Sequence, residues 1–261
     1  MAGVERIESF LSEGLRFLSV GDDVRLGPAK VMVTMSSGGL HPDRAELRTI
    51  VDDVSSRGFP VAVHAVEAEA VSAAADAIAS VKSRGKPPGA GDLRHRIEHC
   101  SELPPEVMSQ VVASGALVVT QPGFIYASGT MYLVRVRADM QPNLYRIGAL
   151  ARSGVKLAFG SDAPVADPDP LLGIHSAVTR RSAEGPRVAP EERISLEDAL
   201  RYATLGPAVA GHMESQVGVV SRGMLADLVL LKDDPTAAEP DELLDNEVAL
   251  TIIGGKVAWE S

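Results

Sequence analysis

The 261 residues carry 25 Lys and Arg against 35 Asp and Glu, a net charge of −10 with His neutral, and 45% of them are hydrophobic. That length is enough for one large core with a smaller appendage. The acidic balance argues against phosphate backbones and anionic lipid as partners, so neither nucleic acid nor a membrane surface is expected, and the apolar share excludes a disordered chain.

No apolar run reaches the roughly 18 residues that a spanning helix needs. Glu5, Glu8 and Glu13 occupy the stretch where a signal peptide would be basic and then apolar. The single cysteine, Cys100, allows no internal disulfide. The expected location is the cytoplasm.

No repeat of fixed period is present. Short β-branched runs alternate instead with longer amphipathic segments, the pattern of βα units around a parallel sheet. In chain order the predicted strands are Ala29 to Thr34, Pro60 to Ala65, Leu93 to His99, Ala116 to Gln121 and Val155 to Gly160. The first intervening helix, Asp43 to Arg57, places Ala45, Leu47, Ile50, Val51 and Val54 on one face. Gly58, Gly85, Gly115 and Gly154 fall just past helical segments, where a left-handed cap is expected. Helices follow near Leu171 to Arg181 and Ser195 to Ala203. From Val217 the text changes to short strands at Gly218 to Val220, Asp227 to Leu231, Val248 to Ile253 and Lys256 to Ala258, with Gly254-Gly255 as a hairpin turn. The expected organisation is an α/β body over 1–213 and a small β appendage over 214–261.

Chemistry in parallel α/β structures sits at the carboxyl ends of the strands, where the loops converge. The second predicted strand ends in His64, the third in His99, and the fifth runs into Gly160-Ser161-Asp162. A single strand-terminal His or Asp is ordinarily a satisfied structural group or cap. The weight here rests on the agreement of three equivalent positions in a chain with only 6 His. Two imidazoles and a carboxylate suit Zn²⁺, and Mn²⁺ or Fe²⁺ with less preference, and an open position on such a metal activates water. Lys30, inside the first strand, is either a side chain that reaches the rim or a neutral amine that reacts with carbon dioxide to give a carbamate ligand.

Two local motifs compete. His95-Arg96-Ile97-Glu98-His99 matches the H-x-x-E-H pattern of zinc proteases, which requires a helix to bring both His to one face. Gly89 and Gly91 before it and Pro104-Pro105 after it leave little room for one. Read as a strand, the segment puts Leu93, His95, Ile97 and His99 on one face. Ser36-Ser37-Gly38-Gly39 lacks the spacing and the Lys of a phosphate-binding loop, and reads as a loop on the catalytic face. Asp167, Asp169 and Asp233-Asp234 read as helix starts and turns rather than calcium ligands.

The order of Val63-His64-Ala65, Arg94 to His99, Ala158 to Val165 and Gly223 to Leu230 closely resembles the amidohydrolase superfamily, best its N-substituted formamide deformylase-like group. The resemblance runs from about Leu26 to the end. It implies a (β/α)₈ barrel with a small β-sandwich, and hydrolysis of non-peptide C–N bonds in small amide-type molecules by metal-activated water. Carried over by position, His64 and His99 are the fifth- and sixth-strand metal ligands, Lys30 the fourth-strand bridging ligand as a carboxylated lysine, and Asp162 the eighth-strand ligand that also accepts the proton of the attacking water. One or two divalent ions, zinc foremost, are implied.

The family's first strand supplies a His-x-His pair, and this sequence contains none. The resemblance thus covers strands four to eight, and five strands cannot close an eight-stranded barrel. The expectation is the carboxyl-terminal portion of an enzyme, completed by a separate amino-terminal half or by other copies in a homo-oligomer. The alternatives are a non-catalytic subunit or relic, inactive alone, and the H-x-x-E-H protease.

Overall fold

Four of the predicted β-branched runs become strands β1 (Ala29–Met32), β2 (Val61–Ala65), β3 (Arg96–His99) and β4 (Leu117–Thr120). The structure, a computed structural model, describes residues 2–21, 24–36, 38–84, 92–237 and 239–261. The strands are parallel neighbours in sequence order, with Lys30 beside Ala62, His64 beside Glu98 and Ile97 beside Val118. Ala2–Gly3 adds a short parallel pairing on the outer side of β1.

Each step between strands carries a helix: α1 (Arg44–Ser56), α2 (Ala68–Arg84) and α3 (Pro105–Ser114). Asp43 caps α1 by accepting from the N–H groups of Ala45 and Glu46, which satisfies two of the four amides that a helix start leaves open. Right-handed crossovers put all three helices on one face of the sheet, and α2 packs against both α1 and α3. Val31, Val63, Ile97 and Val118 point to that face and are buried. Each contributes about 1.5–3 kcal/mol of apolar burial. The other face carries Lys30, Met32, His64, Arg96 and Glu98.

The expected glycine stops hold at Gly58, Gly115 and Gly154, with φ of 81°, 69° and 76°; Gly85 lies outside the described residues. The third strand begins at Arg96 rather than Leu93. In the expected loop, Ser36 and Gly39 are the last register pair of an antiparallel hairpin between Thr34–Ser36 and Gly39–His41; Ser37 lies outside the described residues.

By contact density the described residues divide into two compact units. The first runs to Thr120 and includes Arg152–Lys156. The second comprises Gln121–Ala151 and Leu157–Ser261 and holds α4 (Gly123–Arg135), the start of α5 (Ile147–Ser153), β5 (Leu157–Phe159), α6 (Pro170–Thr179) and α7 (Leu196–Ala210). Helix α7 runs past the expected stop at Ala203, through Gly206 and Pro207. Packing overrides propensity there, because a Cβ on Gly206 would meet Leu157 O at 2.6 Å and Ala158 Cα at 3.0 Å. Glycine alone lets the helix approach β5 so closely.

The appendage is an antiparallel sheet of β6 (Leu228–Leu231), β7 (Val248–Ile253) and β8 (Lys256–Glu260). Gly218 to Val220, expected as a strand, is irregular and leaves Val220 exposed.

Candidate functional site

The two strand-terminal histidines of the first unit meet. The rings of His64 and His99 are 4.4 Å apart between centroids and inclined at 74°, with His99 buried and His64 half-buried. Simple alternation would not bring them together. In the register of β2 and β3, His64 lies beside Glu98 and Ala65 beside His99, so regular pleating would send the His99 ring to the helix-covered face with Ile97.

The alternation ends instead in a left-handed step at His99 and Cys100, with φ of 71° and 53°. Beyond the strand the ladder continues, as Cys100 N–H donates to Ala65 O and Glu102 N–H to Val66 O, both at 3.0 Å. The chain is thereby held against the end of β2 while its backbone reverses. Glu102 Oε2 accepts from Ala68 N–H at 3.2 Å, at the first residue of α2, where a helix start favours a carboxylate.

Arg96 and Glu98 share the open face with His64. Arg96 Nε and Nη2 both donate to Glu98 Oε1 at 2.8 Å, and both side chains are largely buried. His95, at the other end of the motif, is half-buried, and its Nδ1 accepts from Val61 N–H at 3.2 Å. Burial lowers its pKa to about 4, so at neutral pH the ring is uncharged with its proton on Nε2. It completes the hydrogen bonding at the entry of β2.

The H-x-x-E-H protease reading is therefore overturned. The segment is a loop and strand rather than a helix, its first His is bound to backbone and its Glu is paired with Arg96. The expected common face for Leu93, His95, Ile97 and His99 is corrected with it.

Lys30 lies one pleat below His64 on the open face, beside Ala62, and is half-buried rather than enclosed. It lines a groove of about 680 Å³ with Met32, His41 and Glu46. Asp162 belongs to the second unit, where it is exposed and left-handed, with φ of 56°. Its carbonyl accepts from Val165 N–H at 2.9 Å, and Ser161 Oγ accepts from Ala163 N–H at 3.2 Å, which fixes the turn after β5. A cavity of about 140 Å³ in the same unit is lined by Phe159, Gly160, Ser161, Asp167 and Asp169; Asp162 is not among its lining residues. Among the described residues no three of His, Cys, Asp or Glu gather as a metal-holding group.

The acidic residues read as turns and caps are that. Asp169 caps α6 by accepting from Leu171 N–H, Asp167 accepts from Asp169 N–H, and Asp234 accepts from Thr236. Arg180, fully buried, donates to the carbonyls of Val188, Tyr145 and Leu144 at 2.9 to 3.0 Å and is structural.

A family model described as the amidohydrolase family matches residues 6–258. The chain belongs to the amidohydrolase family. It is 30% identical over 225 residues to YtcJ of Bacillus subtilis (strain 168), covering 85% of this chain and 41% of that protein. It is 24% identical over 218 residues to an N-substituted formamide deformylase of Arthrobacter pascens, covering 83% of this chain and 40% of that one. In fold it is similar to the crystal structure of an uncharacterized metal-dependent hydrolase from Pyrococcus horikoshii OT3, with a TM-score of 0.75 and 24% identity over 92% of this chain and 51% of the other. The chain thus spans about two fifths of the length of the curated relatives it matches. Among the described residues no helix is long and apolar enough to cross a membrane.

Proposed function

We propose that this chain is the carboxyl-terminal portion of a metal-dependent hydrolase that cleaves non-peptide C–N bonds in small amide-type molecules. The observation that carries this is the meeting of His64 and His99 at the ends of adjacent parallel strands in a chain of the amidohydrolase family. Two converging imidazoles fit a borderline divalent ion such as Zn²⁺. They supply two of the three or four protein ligands that zinc sites use.

By the resemblance of their motifs, His64, His99, Asp162 and a carboxylated Lys30 would each serve as ligands to one or two ions. Such an ion, when bound, polarises the amide carbonyl and lowers the pKa of water. Asp162 accepts the proton from the attacking water and returns it to the leaving nitrogen. Residues 1–213 form the barrel portion, strands four to eight, and 214–261 the sandwich segment. The remaining ligands come from a second copy or from a separate amino-terminal half, and the protein works in the cytoplasm.

A second reading, a subunit without activity of its own that works with a separate amino-terminal half, is favoured by the exposed, hydrogen-bonded turn in which Asp162 lies.

Elemental analysis and solution mass of the purified chain, followed by assay of amide hydrolysis, separate these. We expect about one zinc or more per folded chain in an oligomer, and loss of at least about 100-fold in kcat for Asp162→Asn. Full activity of Asp162→Asn would overturn the assignment of Asp162, and a folded, metal-free, inactive chain would favour the second reading.

A further inference from the structure

We propose that Glu98 is a positioning residue whose carboxylate, held by Arg96, orients the imidazole of His64. The inference rests on the metal-site reading only for its purpose; its geometry stands in the sheet itself. Glu98 and His64 are register partners on adjacent parallel strands, so their side chains project side by side from the same face. Across that row the neighbours of His64 are Met32 on one side and Glu98 on the other. A thioether is a weak acceptor and a carboxylate a strong one, so Glu98 is the neighbour in the row able to fix an imidazole N–H.

The carboxylate is itself set in place. Both donors of Arg96 reach the same oxygen, Oε1, at 2.8 Å, in a pair whose side chains are 13% and 8% exposed. A carboxylate accepts at about four sites, so the two bonds from Arg96 do not by themselves exhaust it. A histidine that ligates through one nitrogen needs its other N–H held, since that bond selects the tautomer and the ring orientation. The His99 ring, 4.4 Å away, bounds the same imidazole from the strand end. Glu98, the member of the H-x-x-E-H motif that a protease would use as a base, acts here through His64.

The test uses the full chain labelled with ¹⁵N. Long-range correlation of imidazole nitrogens reads the His64 tautomer without metal, and calorimetric titration with Zn²⁺ reads affinity. We expect one dominant His64 tautomer in the parent chain, a mixture in Glu98→Gln with His95 resonances unchanged, and Zn²⁺ affinity weakened about 10–100-fold. Should Glu98→Gln not fold, Glu98→Asp keeps the charge while withdrawing the carboxylate, and the same tautomer shift is expected. An unchanged His64 tautomer in the folded variant overturns the proposal, whatever happens to stability. If the parent chain takes up no Zn²⁺, the metal reading fails separately, while the tautomer response still decides the role of Glu98.

Discussion

The parallel sheet of the first unit and the antiparallel sheet of the second are both rich in Val, Leu and Ile, yet they end in opposite surroundings. Val61, Val63, Ile97 and Val118 are 0% exposed, whereas Val229, Val257 and Trp259 are 61%, 60% and 50% exposed. The difference lies in the connections. A parallel pair needs a long crossover, which brings a helix onto the face of the sheet; α1, α2 and α3 do so here. The hairpin from β7 to β8 turns on Gly254-Gly255 and brings nothing with it. Apolar composition alone does not tell which of two sheets is a core.

The sharpest way to break this comparison is to cut a methyl cluster from each sheet. Ile97→Ala should destabilise the chain by about 3 kcal/mol, because the lost transfer energy is joined by a cavity that close-packed helices cannot fill. Urea midpoints would show it, and a cost under about 1 kcal/mol would mean that the parallel sheet is not the rigid element its burial indicates.

The next effect is acidic. His95 has a folded pKa lowered to about 4 against roughly 6.5 when unfolded. The unfolded chain therefore binds the proton first, so the stability tied to the neutral ring is complete above about pH 6.5 and declines as pH falls towards 4. Protonation also removes the acceptor used by Val61 N–H. The swing is on the order of 2–3 kcal/mol. His95→Asn should flatten the stability profile between pH 7 and pH 4.5, and an unchanged slope would show that His95 is not the group responsible.

Smallest is Val257→Thr on β8, expected within about 0.5 kcal/mol of the parent chain. A cost above about 1 kcal/mol would show that this sheet is covered in solution, and would dissolve the contrast between the two sheets.

Most of the α/β rhythm was legible because each strand is punctuated. Asp43 caps α1 and Gly58 follows it, and β-branched runs sit where crossovers place them. What was not legible depended on tertiary contacts. The continuation of α7 through Gly206 and Pro207 follows from close approach to β5, which no helix propensity contains. The start of β3 at Arg96 was hidden because Leu93 and His95 fit a strand by alternation, whereas His95 is instead tied to Val61.

The candidate site divides in the same way. The strand-end rule found His64 and His99, since loops converge there whatever the side chains are. It found them for an incomplete reason, because period-two counting puts His99 on the wrong face, and the left-handed step at His99 restores it. The pairing of Arg96 with Glu98 follows from two opposite charges at i, i+2 on one strand face, whereas the H-x-x-E-H pattern contains Glu98 without its partner. The place of Asp162 in an exposed turn of the second unit comes from loop geometry that the sequence does not state.

Cys100 follows His99 in the same left-handed step and is buried, and burial pushes its thiol up to about 12. Reaction with a thiol reagent requires both thiolate and access, so the folded chain should be silent to such reagents until this step opens. The chain therefore carries its own clock. The rate at which its only cysteine is labelled times the local opening of the turn that sets His99 against His64, with no cysteine having to be introduced.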